Sequence, residues 1–382
     1  MEIVINMSED DQIYTSIECK SADEFLEYLR KSNARWDLNN ELDYPWIFRG
    51  LGNHTFALQP IAFRGNFKIN FYASKYSKIQ NSFNEFRGKL SQKFIELINP
   101  TNGNEFNFAP DRKKRARLLM LIKQVLLERF LLERFAEESI RVRLPITNYY
   151  PFGTPSILEQ DLNASFPLDR ITEQIINYGA YLIKHPYDFD WLFSEAGYFD
   201  ISFLTVNKID WNLICTAQHI GIPTRLLDWT YKPWIAAFFC CWQFQKIKKK
   251  PEKICVWAFN PTMVKNPFND NLYEGSTIEL FNRFLPSEHD FLHIQQANLI
   301  SMKFDNFYFL RYGKWPDLIS YFTDLVSHDE KLISTMKNNL VKITLVKSEV
   351  NQLEKLLEKE DITIASIMPT FNHLAEMILA KN

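Results

Sequence analysis

The sequence predicts an α+β protein, with a small central mixed or antiparallel sheet flanked by helices and an inserted helical subdomain. Three observations carry that expectation. Short β-branched or aromatic runs recur along the chain: Trp46–Phe48, KICVWAFNP (253–261), NFYFL (306–310) and VKITLV (341–346). Longer segments with apolar residues at helical spacing separate them. The 382 residues are 46% hydrophobic, enough for a full core, while 11 glycines are too few to suggest a Gly-rich nucleotide loop or disorder.

Taken in order, Ser21 and Glu24 have the S-x-x-E spacing of a capping box, so a helix opens there and runs to about Leu29. Trp46, Ile47 and Phe48 form a strand that ends at Gly50 and Gly52. Phe83, Phe86, Leu90, Phe94 and Leu97 predict a helix over 79–98. After a loop at 100–111, a long helix follows over about 112–139. Its tandem LLERF-LLERF (126–135) turns by about 140° at each five-residue step, which spreads apolar surface broadly and calls for packing between neighbours. Residues 144–170, rich in Pro, Asn and Ser, read as an ordered loop, and helical segments resume at 171–185 and 209–220. The stretch 100–205 is the expected helical insertion. Further on, Gly221 and Pro223 stop the helix that ends at His219. Thr224 is placed to cap a new turn, Thr230 to cap the helix containing Pro233, and Ser348 and Pro369 to open the last two helices.

The 44 basic and 46 acidic residues give a net charge of −2, which excludes a general electrostatic pull toward nucleic acid or anionic membrane. Five cysteines without a CxxC pair read as buried reduced thiols. The longest apolar run, WIAAFFCCW (234–242), is far shorter than the about 20 residues of a membrane span. The N-terminal MEIVINMSEDDQ has no signal-peptide core. A soluble cytoplasmic protein with no membrane partner is expected.

AQHIGIPTRLLDWT (217–230) concentrates hydrogen-bonding side chains between two apolar flanks. Two readings stay open. Arg225 and Asp228, three apart, would share a face of a helical turn and clamp the junction of two helix ends. Alternatively Arg225, with its rigid donor fork, and the titratable His219 would hold a small anionic or nucleotide-like ligand. His289 and His293 share a helical spacing but lack a third ligand or an HExxH frame, so no metal is expected. The basic runs DRKKRAR (111–117) and QKIKKKPEK (245–253) read as solvated helix ends, with nucleic-acid contact as the alternative. No Walker loop, dinucleotide fingerprint or GxSxG elbow occurs.

WIFRGLGN…FALQPIAFR, followed by QHIGIPTRLLDWTYKPWIAAFF, resembles the FRG domain. Phe48, Arg49 and Gly50 match the run that gives the family its name, and Leu58, Pro60 and Arg64 match the next element. His219, Gly221, Pro223 and Thr224 through Trp229 match its most distinctive block, and Gln295–Gln296 its later glutamine element, where Ala297 replaces the usual glycine. The resemblance covers roughly residues 20–380, with the insertion largely outside the motifs. It implies a bacterial or phage protein, some relatives being tied to toxin or defence loci. In outline it is similar to ADP-ribosyltransferases, which implies NAD as cofactor, although neither Glu279 nor Glu288 stands in a recognisable catalytic context. On this reading His219, Arg49 and Asp228 are the catalytic candidates, and Arg64, Arg225, Thr224 and Gln296 hold the ligand, with Asp228 orienting Arg225. The alternative is a non-enzymatic module that senses nucleic acid or a phage protein.

Overall fold

A computed structural model describes residues 12–38, 45–64, single positions within 116–143, and 211–265, 277–281, 290–303, 305–326 and 329–380. The predicted 79–98 and 171–185 helices, the 144–170 loop, Glu288, His289 and the borders of the insertion lie outside them.

Seven strands form one sheet: β1 (Thr15–Cys19), β2 (Ile47–Leu51), β3 (Leu226–Thr230), β4 (Lys253–Phe259), β5 (Ile278–Phe281), β6 (Ala297–Met302) and β7 (Leu340–Val346). Their order is β1-β7-β4-β2-β3-β6-β5, with β1 and β7 parallel and every other pair antiparallel. The sheet is mixed, within an α+β fold, and larger than the small one expected.

Alternation along the strands gives both faces a hydrophobic layer. On one face Phe48, Val256, Ala258, Ile343 and Leu345 pack with Phe25 and Leu29 of α1 (Ala22–Leu29). Two helices follow along the chain, α2 (Trp211–His219) and α3 (Pro233–Lys246), and Ala236, Ala237 and Cys240 of α3 join this layer. On the other face Ile47, Leu227, Trp229, Trp257, Phe259 and Ile300 pack with Leu58, Phe63 and the helices of residues 305–339. α3 lies so close to β2 that a Cβ on Gly50 would stand 1.9 Å from the Ala236 carbonyl oxygen, so only glycine fits between strand and helix.

Half of the expected capping box stands: Ser21 Oγ accepts from the Glu24 amide at the start of α1, while the Glu24 carboxylate accepts from the Lys20 amide instead of that of Ser21. Gly221 takes the left-handed conformation, φ 92°, that ends α2, and Pro233 sits in the first turn of α3. All five cysteines are free and buried.

Several expectations are corrected. NFYFL is helical: with Asp305 in the first turn, α4 (Asp305–Tyr312) buries Tyr308 and Phe309 and sets the Tyr308 and Tyr312 rings 4.6 Å apart, one helical turn along the chain. Aromatic content suits either state, and tertiary packing decided for helix. LLDWT is β3, not a helical turn, with every residue buried except Asp228. Thr230 does not cap α3, whose cap position is Lys232; it donates to the Gln295 carbonyl and accepts from the Lys232 amide. Glu349, not Ser348, precedes the helix Val350–Lys359. β1, β5 and β6 were not foreseen.

Candidate functional site

The sheet is not uniformly zipped. β2 pairs with β4 along its whole length, and β3 with β6 along its whole length. Between β2 and β3, however, only Phe48 and Thr230 pair. Beyond that single bridge, toward Leu51 on one strand and Leu226 on the other, the two share no ladder, and side chains do the linking.

Arg49 follows the bridge directly. Its Nη1 donates to the backbone carbonyl of Asp228 and lies 3.5 Å from Asp228 Oδ2. The Arg49 side chain is only 10% exposed, while that of Asp228 is 52% exposed. Arg49 Nε is buried with no hydrogen-bond partner among the described residues.

Asp228 is held from the other side by Gln218, near the end of α2. Gln218 Nε2 lies 3.2 Å from each Asp228 carboxylate oxygen and 3.2 Å from the Leu226 carbonyl. The direction of this chain is fixed. The Asp228 carboxylate and the Leu226 carbonyl can only accept, so the Gln218 amide donates to them, Gln218 Oε1 accepts from the Thr224 hydroxyl, and Thr224 Oγ accepts from the Leu226 amide. Leu226, Thr224, Gln218 and Asp228 thus form one polarised relay ending on a half-exposed carboxylate.

Arg64 completes the group. It follows the short turn Ile61–Phe63, which the Ala62 amide ties to the Thr224 carbonyl at 3.2 Å. Its Nε donates to the Gln59 carbonyl at 3.0 Å. Partial burial holds the Arg64 guanidinium below its ordinary pKa, the like charge of Arg49 adds to this, and Asp228 opposes it. Arg49 and Asp228 are thus both within electrostatic reach of Arg64, whose own Nε bond goes to Gln59.

Arg225 lies elsewhere. It is sealed, with 2% side-chain exposure, and every guanidinium nitrogen is engaged. Nε and Nη2 donate to Glu128 at 2.8 and 3.1 Å, and Nη1 to Asp305 at 3.0 Å and Asn306 at 3.1 Å. The Phe63 ring lies 5.5 Å from the guanidinium carbon. Burial opposes the Arg225 charge, but Asp305 and Glu128 outweigh it and raise its pKa above the ordinary value. Burial, with Glu128 beside it, pushes the Asp305 carboxyl up to about 6 against the pull of Arg225. Gln124 donates to Glu128 and to the Ala62 carbonyl, which ties this cluster to the turn before Arg64. Asp228 therefore does not orient Arg225.

His219 is the last residue of α2, half-buried, next to Gln218. Gln296 is exposed, in the left-handed conformation at φ 44°, and lies past the bridge on the side away from Arg49, where its carbonyl accepts from the Tyr231 amide. The structure thus pairs Arg49 with Asp228, reaches Thr224 through Gln218, and leaves Arg64 within electrostatic reach of the pair. Gln218 stood in the polar block without an assigned role. Glu128, inside the LLERF repeat, and Asp305 gave no sign of their partner, being 97 and 80 residues from Arg225.

Among the described residues no group of three His, Cys, Asp or Glu side chains could hold a metal, and no helix is long and apolar enough to cross a membrane. In the second basic run Lys250 donates to the Phe244 and Gln245 carbonyls at the end of α3, Lys246 lies 3.3 Å from the Trp242 ring centroid, and Lys253 pairs with Glu18.

No curated protein and no solved structure matches the chain. A family model described as FRG domain matches residues 196–249, a span that holds Gln218, Thr224, Arg225 and Asp228. An FRG domain is therefore present in this chain.

Proposed function

We propose that the opening between β2 and β3 binds a nucleotide-like anion, and that the reaction served there is ADP-ribosyl transfer or NAD cleavage by a cytoplasmic effector of the bacterial toxin or phage-defence kind. The observation that supports this reading is the pairing of Arg49 with a half-exposed Asp228 where two strands part, with the exposed Arg64 within electrostatic reach of both. A site that gathers more cationic donors than carboxylates favours an anionic guest, and one with a carboxylate held in place by a polarised relay has a group with which to act on it. Arg49 and Arg64 would hold phosphate oxygens. Gln218 and Thr224 would keep Asp228 turned toward the ligand, with His219 beside them as a proton carrier. The test is incubation of the full chain with NAD and candidate targets, alongside thermal stability in millimolar NAD. Labelled product, or nicotinamide release lost in Asp228→Asn, supports the proposal. No product and an unchanged melting temperature overturn it and leave the non-enzymatic binding module as the reading to pursue.

A further inference from the structure

Arg49 belongs to a row of side chains that runs straight across one face of the sheet. Register pairs Lys342 of β7 with Trp257 of β4, and Trp257 with Arg49 of β2. Across the seam, the step after the Phe48–Thr230 bridge puts Trp229 of β3 on the same face as Arg49, and Trp229 pairs with Asn298 of β6. Five neighbouring strands thus carry Lys342, Trp257, Arg49, Trp229 and Asn298 on one face, at about 4.8 Å per step except where β2 and β3 part.

The polar chemistry of this row is unsatisfied. Trp257 and Trp229 are each 3% exposed, yet among the described residues neither indole N–H finds an acceptor, and neither does Arg49 Nε. Buried N–H groups without acceptors are uncommon, and three in one row call for an explanation. Lys342, half-buried beside them, lies 5.3 Å from the Trp257 ring centroid and 5.9 Å from that of Tyr14, and no carboxylate pairs with it among the described residues. Burial holds its ammonium below the ordinary lysine value. Against these three donors stands one unpartnered acceptor, the neutral Asn298 Oδ1, and at the Lys342–Trp257–Arg49 end the row offers donors and positive charge without an anion to match them.

We propose that Lys342 and the Trp257 indole form a second anion subsite beside Arg49, so that the ligand carries two linked anionic groups, as a diphosphate does. This rests on the reading of the Arg49–Arg64 seam as the first subsite, and it adds residues that lie outside the FRG match. One phosphate meets Arg49 and Arg64, and the next meets Lys342 and Trp257.

Calorimetric titration of the full chain with inorganic pyrophosphate and with orthophosphate, at constant ionic strength, tests it. Pyrophosphate is expected to bind about tenfold or more tighter than orthophosphate, the worth of a charge-assisted contact. Lys342→Met should bring pyrophosphate down to the orthophosphate level and leave orthophosphate binding unchanged, and Lys342→Arg should restore the preference. Trp257→Phe, which removes the N–H and keeps an aromatic ring, should weaken pyrophosphate in the same direction. A wild-type protein that binds both anions equally, or a Lys342→Met variant that keeps the preference, overturns the second subsite. The first subsite fails separately, if Arg64→Ala leaves orthophosphate binding intact.

Discussion

Arg49 and Arg225 sit in the two motifs of this chain and do opposite things. Arg225 is enclosed with two carboxylates for one guanidinium, while at the seam Arg49 meets one half-exposed carboxylate and Arg64 stands within electrostatic reach of both. A buried cation needs its compensation built in, because no water screens it, and Glu128 and Asp305 supply that from distant parts of the chain. The seam has the reverse imbalance and keeps a carboxylate in solvent. The ratio of charges around each arginine, more than the motif in which it stands, separates a clamp from a place that can receive a guest.

The sharpest way to break this contrast is Arg225→Ala. It strands two carboxylates in a sealed site, and loss of a buried partner of this kind costs about 3–5 kcal/mol. Chemical denaturation should show most or all of the folding transition lost. A folded variant of near wild-type stability would mean that Arg225 is no clamp. Gly50→Ala comes next. The Cβ would press on the Ala236 carbonyl oxygen, a backbone atom that cannot swing aside, so α3 must move from the sheet, at about 1–3 kcal/mol or more. The denaturation midpoint should fall by that amount. An unchanged midpoint would show that strand and helix approach less closely.

These two positions also show how far the sequence could be read. The Arg-Gly pair was visible as a strand end, and the glycine is explained by the closeness of α3. Capping at Ser21, the left-handed stop at Gly221 and Pro233 at the start of α3 were legible because each is local chemistry within a few residues. What spacing could not reveal was long-range choice. Arg225 and Asp228, three apart, looked like partners, but Arg225 precedes β3 while Asp228 lies within it, so no helical turn puts them on one face. Thr224 and Gln218 could be seen as polar, but the direction of their relay depends on the fold of the turn between them. NFYFL satisfied strand propensity and was claimed by helix packing in its place. The Lys342–Trp257–Arg49 row exists only through sheet register.

A smaller effect is set by pH. The folded state raises the Asp305 carboxyl from 3.8 to about 6, so it binds that proton more tightly than the unfolded chain does. The associated stability is present in full below 3.8 and is lost as pH rises through about 6. Denaturation midpoints measured from pH 4 to 7 should carry this downward slope, superposed on the chain's other titrations. Asp305→Asn should flatten it while Glu128 keeps Arg225 paired. An identical slope in Asp305→Asn would place the titration elsewhere.

The smallest effect on folding should come from Arg49→Gln. The guanidinium lies 3.5 Å from a carboxylate that is half in water, and such a pair contributes less than about 1 kcal/mol. Glutamine retains a donor for the Asp228 carbonyl, so the bridge at Phe48 and Thr230 has no reason to open. Denaturation of Arg49→Gln should therefore overlay the wild type, while its affinity for inorganic phosphate falls. Such a split between stability and binding is what distinguishes a recognition arginine from a clamping one. If Arg49→Gln instead unfolded as Arg225→Ala is expected to, both arginines would be structural, and the seam would be a joint in the sheet with nothing to receive.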